Sequence, residues 1–314
     1  MKKALSLLLV LVMVLSLCSV TAFAVENYTG KTVILYTANV RGDVDVYAKV
    51  VAAKTAYENA GADVILADAG NFLQGTAAAN SDRGLGVYNL MDAVGYDVAA
   101  MGLAEFGYAD ATTGYGYHKN VTKYYTQAEL QNGAEALTYN KDMKGEVTAD
   151  RAEKAAATFT ALSANAVSDT EYYSFETSTV ITTNSGLKVG FYGLTAASAA
   201  ANVQDGCLSV SEPKPVKLNA DVTICLSNAG VSGSEYGDLV IDAGNAETVG
   251  AYVIDNSSKT VTSLTPDLSG SDAEIAKSAA ALKAAAGKTV GRSDVILTGA
   301  DSANWNGETN LGDL

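Results

Sequence analysis

A single histidine, His118, stands in 314 residues, so side chains able to hold a metal or bind an anion must be sought elsewhere. They gather in a few short stretches: Asn39-Val40-Arg41-Gly42 with Asp43 and Asp45 behind it, Asp68-Ala69-Gly70-Asn71, Gly102-Leu103-Ala104-Glu105, Ser227-Asn228 and Asn245-Ala246-Glu247. Asparagine carbonyls are weak ligands that do not compensate cationic charge, and Leu103 and Ala104 offer no lone pair at all. Arg41 carries a fixed positive charge. With the asparagines it could form a neutral-to-cationic pocket for an anion at a loop–helix junction, although pairing of Arg41 with Asp43 is the preferred reading. Asp43 and Asp45 could hold a hard cation such as calcium; two acids ahead of a helix read instead as helix starters matched to its dipole. His118 reads as a solvated surface side chain rather than a ligand.

The elements that must position these residues alternate. Lys31 to Tyr36, Asp63 to Ala67 and Asp97 to Met101 are apolar, β-branched runs expected to be strands. Between them, Val46 to Ala60 and Gly84 to Val94 carry helical patterns. Strand–helix–strand alternation at this spacing predicts a layered α/β fold with a largely parallel sheet. The segment 108–150, rich in Gly, Tyr, Asn and Thr, reads as a surface insertion. Its tyrosines Tyr108, Tyr115, Tyr117, Tyr124 and Tyr125 could form a carbohydrate-contacting or adhesive face, or cover the insertion's own small core. Strands resume at Phe159 to Ala164. A hairpin is expected from Thr177 to Thr183 and Lys188 to Leu194 around Asn184-Ser185-Gly186. Further strands are expected at Asp221 to Leu226, Asp238 to Ile241, Ala251 to Ile254 and Thr260 to Leu264. An alanine-rich helix from Asp272 to Ala286 is stopped by Gly287.

Lys2 and Lys3, the apolar run Ala4 to Leu17 and the Ala22-Phe23-Ala24 cleavage site read as a signal peptide spanning 1–24. Leu17 disfavours lipidation at Cys18, where a small residue should precede the cysteine. The expectation is a secreted product with no later membrane insertion. Removing Lys2 and Lys3 with no acid takes the net charge from −14 to −16, which repels nucleic acid and anionic membrane surfaces. Cys207 and Cys225 need not be bridged in a chain this long, and Cys225, inside an apolar run, reads as a buried small hydrophobe.

Several blocks in order resemble the calcineurin-like metallophosphoesterases, most closely the secreted 5′-nucleotidase branch. Ile34-Leu35-Tyr36-Thr37-Ala38-Asn39-Val40-Arg41-Gly42 is similar to the first block, Asp68 to Thr76 to the second, and Gly102 to Tyr108 to the third. Ser163-Ala164-Asn165-Ala166 and Gly190 to Thr195 match structural segments. Leu226 to Gly230 and Asp242 to Thr248 are similar to the late histidine blocks. Glu308 to Leu314 resembles the link into a C-terminal domain that supplies an aromatic pair for the base. The expectation is that this domain does not follow and that the chain is truncated within the link.

The resemblance implies a four-layer α/β/β/α sandwich over 25–314 and a site for two divalent metals. At such a site the metals polarise phosphate and generate a hydroxide nucleophile. At the corresponding positions, however, this chain has Asn39 and Arg41 for the first aspartate and histidine, and Asn71 for the bridging aspartate. Leu103 replaces the asparagine ligand, and Ala104 the histidine that stabilises the transition state. Asn228, Asn245 and Glu247 stand for the late histidines. None of the eight expected side chains is present, so no functional catalytic or metal-ligating residue is expected, with Arg41 left as a possible anion contact. The reading is a non-catalytic extracellular binding or structural module with no cofactor and an unidentified extracellular or cell-wall partner. The alternative is an active phosphoester hydrolase with an altered site, which would need two divalent metals such as Zn, Mn or Fe.

Overall fold

A computed structural model describes residues 27–80, 84–106, 159–167, 175–202 and 208–287. The expected signal segment, the 108–150 insertion with His118 and its tyrosines, Cys207 and the Glu308 to Leu314 link lie outside them.

The first sheet is built around β1 (Lys31–Thr37), where every residue after Lys31 is buried. Val33 and Leu35 point into a core shared with helices, whereas Ile34 and Tyr36 point into a core shared with a second sheet. A strand apolar on both faces belongs in the middle of a covered, parallel sheet. Accordingly β1, β2 (Asp63–Asp68), β3 (Val98–Ala100) and β4 (Thr160–Leu162) run parallel, and β11 (Val249–Asp255) and β12 (Val261–Leu264) close the other side antiparallel. The second sheet has the order β10 (Leu239–Asp242), β9 (Val222–Ser227), β7 (Lys188–Leu194), β6 (Ser178–Thr182). Here β7, β9 and β10 are parallel, and β6 forms the expected hairpin, turning at Gly186 with φ 87°.

Ile34, Ile65 and Val98 of the first sheet meet Val189, Phe191, Ile224 and Ile241 of the second in one dry layer. Burying each of these side chains contributes on the order of 2 kcal/mol. On the opposite face of the first sheet, α1 (Val46–Asn59), α3 (Leu85–Val94) and α5 (Ala273–Ala286) supply Tyr47, Val50, Val87, Met91 and Ile275. Asp272 caps α5 by accepting from the backbone N–H groups of Glu274 and Ile275, at 3.0 and 2.9 Å. Asp45 stands at the start of α1 without capping it and instead meets Lys283 of α5 at 2.7 Å.

The fold class is the α/β double-sheet sandwich expected. Its outer layer over the second sheet is less regular than the helical layer, among the described residues. Tyr192, Leu194, Cys225 and Val231 are covered there by Val216, Leu218 and Tyr236, from extended chain and a 3-10 turn at Ser234–Tyr236. Burial pushes the Cys225 thiol up to about 12, as expected of a cysteine serving as a core hydrophobe. Three small elements were not foreseen: single-turn helices α2 (Ala77–Asn80) and α4 (Leu103–Phe106), and a two-residue ribbon of β5 (Ala166–Val167) with β8 (Ser209–Val210). Each is too short to carry a periodic signal.

Candidate functional site at the strand ends

Parallel strands deliver their following loops to one rim, which is where open α/β sheets present their sites. The loops after β1, β2 and β3 bring Asn39, Arg41, Asn71, Leu103 and Ala104 to that rim. Those after β9 and β10 bring Asn228, Asn245 and Glu247. Asn39, Arg41 and Asn71 all have left-handed backbones, with φ of 51°, 50° and 65°. Asparagine adopts this conformation readily; arginine does so at a cost of about 1 kcal/mol. Backbone bonds hold it in place: Asn39 N–H donates to Gly70 O, Arg41 N–H to Asn71 O and Gly42 N–H to Phe72 O, at 2.9–3.0 Å.

The asparagine side chains do not point into empty space. Asn39 Nδ2 donates to the carbonyl of Ala243 after β10. Asn71 Nδ2 donates to Asn39 Oδ1 at 2.8 Å, while Asn71 Oδ1 accepts from the Ala104 N–H at 3.2 Å. Asn228 Oδ1 accepts from the Ala196 N–H at 3.0 Å, and its Nδ2 donates to the Met101 carbonyl at 3.0 Å. Three amides thus join the loops that follow β1, β2, β3, β7, β9 and β10 in both sheets. Close glycines make room for them. A Cβ on Gly70, which has φ 102°, would lie 2.9 Å from Asn228 Nδ2, and one on Gly102 would lie 2.5 Å from Asn71 Oδ1.

Beneath this web, Glu105 is completely buried and accepts four backbone N–H bonds. Gly102 and Asn71 donate to Oε2 at 2.7 and 2.9 Å, Phe72 and Leu73 to Oε1 at 2.7 and 3.1 Å. Burial pushes its carboxyl above the usual range, against the pull of those four donors. Asp68, also fully buried, accepts from Thr37 Oγ1 at 2.5 Å and from the Gly70 N–H at 2.6 Å; burial raises it well above the ordinary carboxylate range. Tyr96 OH lies 2.8 Å from Thr37 Oγ1, and Tyr47 carries a buried hydroxyl without a partner. Asp242 plays the corresponding part below the second sheet's loops, accepting from Ser227 Oγ and the N–H groups of Gly230, Val231 and Gly244.

No family model and no curated protein sequence matches this chain. Solved structures do. A 5′-nucleotidase precursor from Thermus thermophilus aligns with a TM-score of 0.51 at 14% identity, covering 81% of this chain and 59% of its own. The sulfate thiohydrolase SoxB, from the same organism, aligns with a TM-score of 0.51 at 11% identity, covering 82% and 60%. The calcineurin-like phosphoesterase YfkN of Bacillus subtilis aligns at 0.48 and 11% identity, covering 82% and 97%. The chain has the metallophosphoesterase fold. It spans about three fifths of the length of the two structures that match at 0.51.

In this fold the eight sequence-defined positions separate into two groups. Asn39, Asn71, Ala104 and Asn228 join the hydrogen-bonded web, with Arg41 and Leu103 on its rim. Asn245 and Glu247 are exposed and line a different cleft of about 580 Å³ beside Tyr36, Tyr252 and the β10 edge. The expected Arg41–Asp43 pair does not form: Asp43 Oδ1 accepts the Asp45 N–H at 3.2 Å instead, and Arg41 makes no ion pair among the described residues. Arg41 instead lines a cleft with Asn71, Gln74 and Leu103. Glu105 and Asp242 were missed as organising residues, although an acid embedded in the apolar stretch Leu103 to Phe106 was the available signal.

These residues do not fit a pair of divalent ions. No group of three His, Cys, Asp or Glu side chains is gathered among the described residues. The oxygens of Asn39, Asn71 and Asn228 already accept hydrogen bonds, so coordination would have to break the web. Arg41 adds positive charge at the rim, and the buried carboxyls of Asp68, Glu105 and Asp242 are occupied by backbone donors. The arrangement can fix loops and present a cation; it lacks the carboxylates and imidazoles that two metals need.

Proposed function

We infer that the chain is an exported, non-catalytic binding or structural module built on the metallophosphoesterase fold. The amide web carries this reading. Where two ions would otherwise tie the strand-end loops together, Asn39 and Asn71 bond to each other and to loop backbone, and Asn228 bonds to the backbone of Ala196 and Met101, so the rim is closed without charge compensation by metal. The nucleotidase and thiohydrolase activities named for the similar structures remain those proteins' own, because a shared fold does not fix chemistry. Export rests on Lys2, Lys3, the apolar run Ala4 to Leu17 and Ala22-Phe23-Ala24. The acidic surface suits a soluble extracellular or cell-wall partner rather than nucleic acid.

Purified protein given nucleoside monophosphates and a simple aryl phosphate, with manganese or zinc added, is expected to release no phosphate. Metal-dependent release that Asn71→Ala abolishes would establish the hydrolase instead. N-terminal sequencing of the exported product, expected to begin at Val25, checks the processing site.

A further inference from the structure

Beside the web lies a cleft of about 330 Å³, lined by Arg41, Asn71, Gln74, Gly75, Asn80, Leu103 and Ala104. Arg41 is its one charged lining residue among those described. Its side chain is exposed and, among the described residues, makes neither an ion pair nor a hydrogen bond. In a chain of net charge −14, with carboxylates as near as Asp43 and Asp45, an arginine left without an acidic partner is notable. Its backbone is left-handed, φ 50°, and its N–H donates to Asn71 O at 2.9 Å. The same cleft is lined by Leu103, an exposed large hydrophobic side chain at 38% exposure, with Ala104 next to it. Gln74 adds a half-buried amide.

We propose that this cleft binds a small ligand bearing a single carboxylate and a short apolar body, without metal. The proposal rests on the metal-free reading of the rim and adds a ligand class to it. A planar guanidinium matches a carboxylate in a two-bond fork. One fixed cation in an acidic protein balances a monoanion, whereas a phosphate dianion would leave a charge uncompensated and meet stronger long-range repulsion. Leu103 gives the ligand's carbon chain an apolar wall, which inorganic phosphate could not use.

The test is calorimetric titration of the whole protein in EDTA with butyrate, its neutral isostere butyramide, acetate and inorganic phosphate. Butyrate binds, butyramide does not, and phosphate fails to displace butyrate. Arg41→Ala weakens butyrate at least about tenfold, the loss expected for one charge-assisted contact. Arg41→Lys recovers only part of it, because an ammonium lacks the fork. Leu103→Ala weakens butyrate while leaving acetate unchanged. Arg41→Gly, which relieves the left-handed strain, keeps its thermal midpoint and also loses butyrate, separating binding from folding. Butyrate that does not bind, butyramide that binds equally, phosphate that binds in preference, or binding that survives both Arg41→Ala and Arg41→Gly overturns the proposal. Each of these outcomes leaves the absence of phosphate release intact. Metal-dependent phosphate release would instead remove the reading beneath it.

Discussion

The two halves of the rim treat their polar side chains in opposite ways. After β1, β2 and β9, the side-chain amides of Asn39, Asn71 and Asn228 are bonded to neighbouring loops. After β10, Asn245 and Glu247 are open to solvent, and neither side chain enters a hydrogen bond with another side chain among the described residues. The difference lies in what surrounds each position. Asn71 and Asn39 face each other across adjacent parallel strands with left-handed backbones that turn their side chains inward, and Asn228 faces Met101 and Ala196. An unpaired donor or acceptor away from water is costly, so a half-buried amide gains by finding partners, whereas an exposed one finds water.

The largest effect expected from perturbing the knitted half is at Glu105. Glu105→Ala strands four buried N–H groups, and chemical denaturation should report a loss of about 4 kcal/mol or failure to fold. Asn71→Ala removes an acceptor from Ala104, a donor to Asn39 and a residue suited to φ 65°, for a loss of about 3 kcal/mol. Asn71→Gly retains the backbone and should lose measurably less, which separates the amide from the conformation.

A smaller effect is expected with pH. Burial raises the carboxyls of Asp68 and Glu105 above their unfolded values, so between those values and the raised ones the fold binds more protons than the unfolded chain. Stability from these groups is therefore fully present below the ordinary carboxylate range and lost as pH rises through their folded values. Denaturation at pH 5 and pH 7 should show the protein more stable at the lower value, with the slope flattened in Asp68→Asn. Asn245→Ala and Glu247→Ala should shift stability by no more than about 0.5 kcal/mol. A loss there as large as at Asn71 would erase the contrast between the halves.

Much of the fold was legible because its signals are local. The central strand Lys31–Thr37, the hairpin around Gly186 and the helix begun by Asp272 lie within a residue or so of their sequence-defined limits. The scarcity of histidine was equally legible, since it depends on residue type alone. The use to which Asn39, Asn71 and Asn228 are put was not, because each bond is made to a residue at least 32 positions away in sequence or belongs to another strand's loop. Arg41 shows the same limit. Its neighbour Asp43 suggested an ion pair, yet Asp43 accepts the Asp45 N–H and Arg41 lines a cleft with residues 30 and more positions away.

The central claim is that amides, and not metals, hold the rim together. Metal content of the purified protein, measured with its unfolding midpoint before and after EDTA, tests it directly. No stoichiometric zinc, manganese or iron and an unchanged midpoint are expected. Near-stoichiometric metal, with a midpoint that falls on chelation and returns when metal is restored, would contradict it.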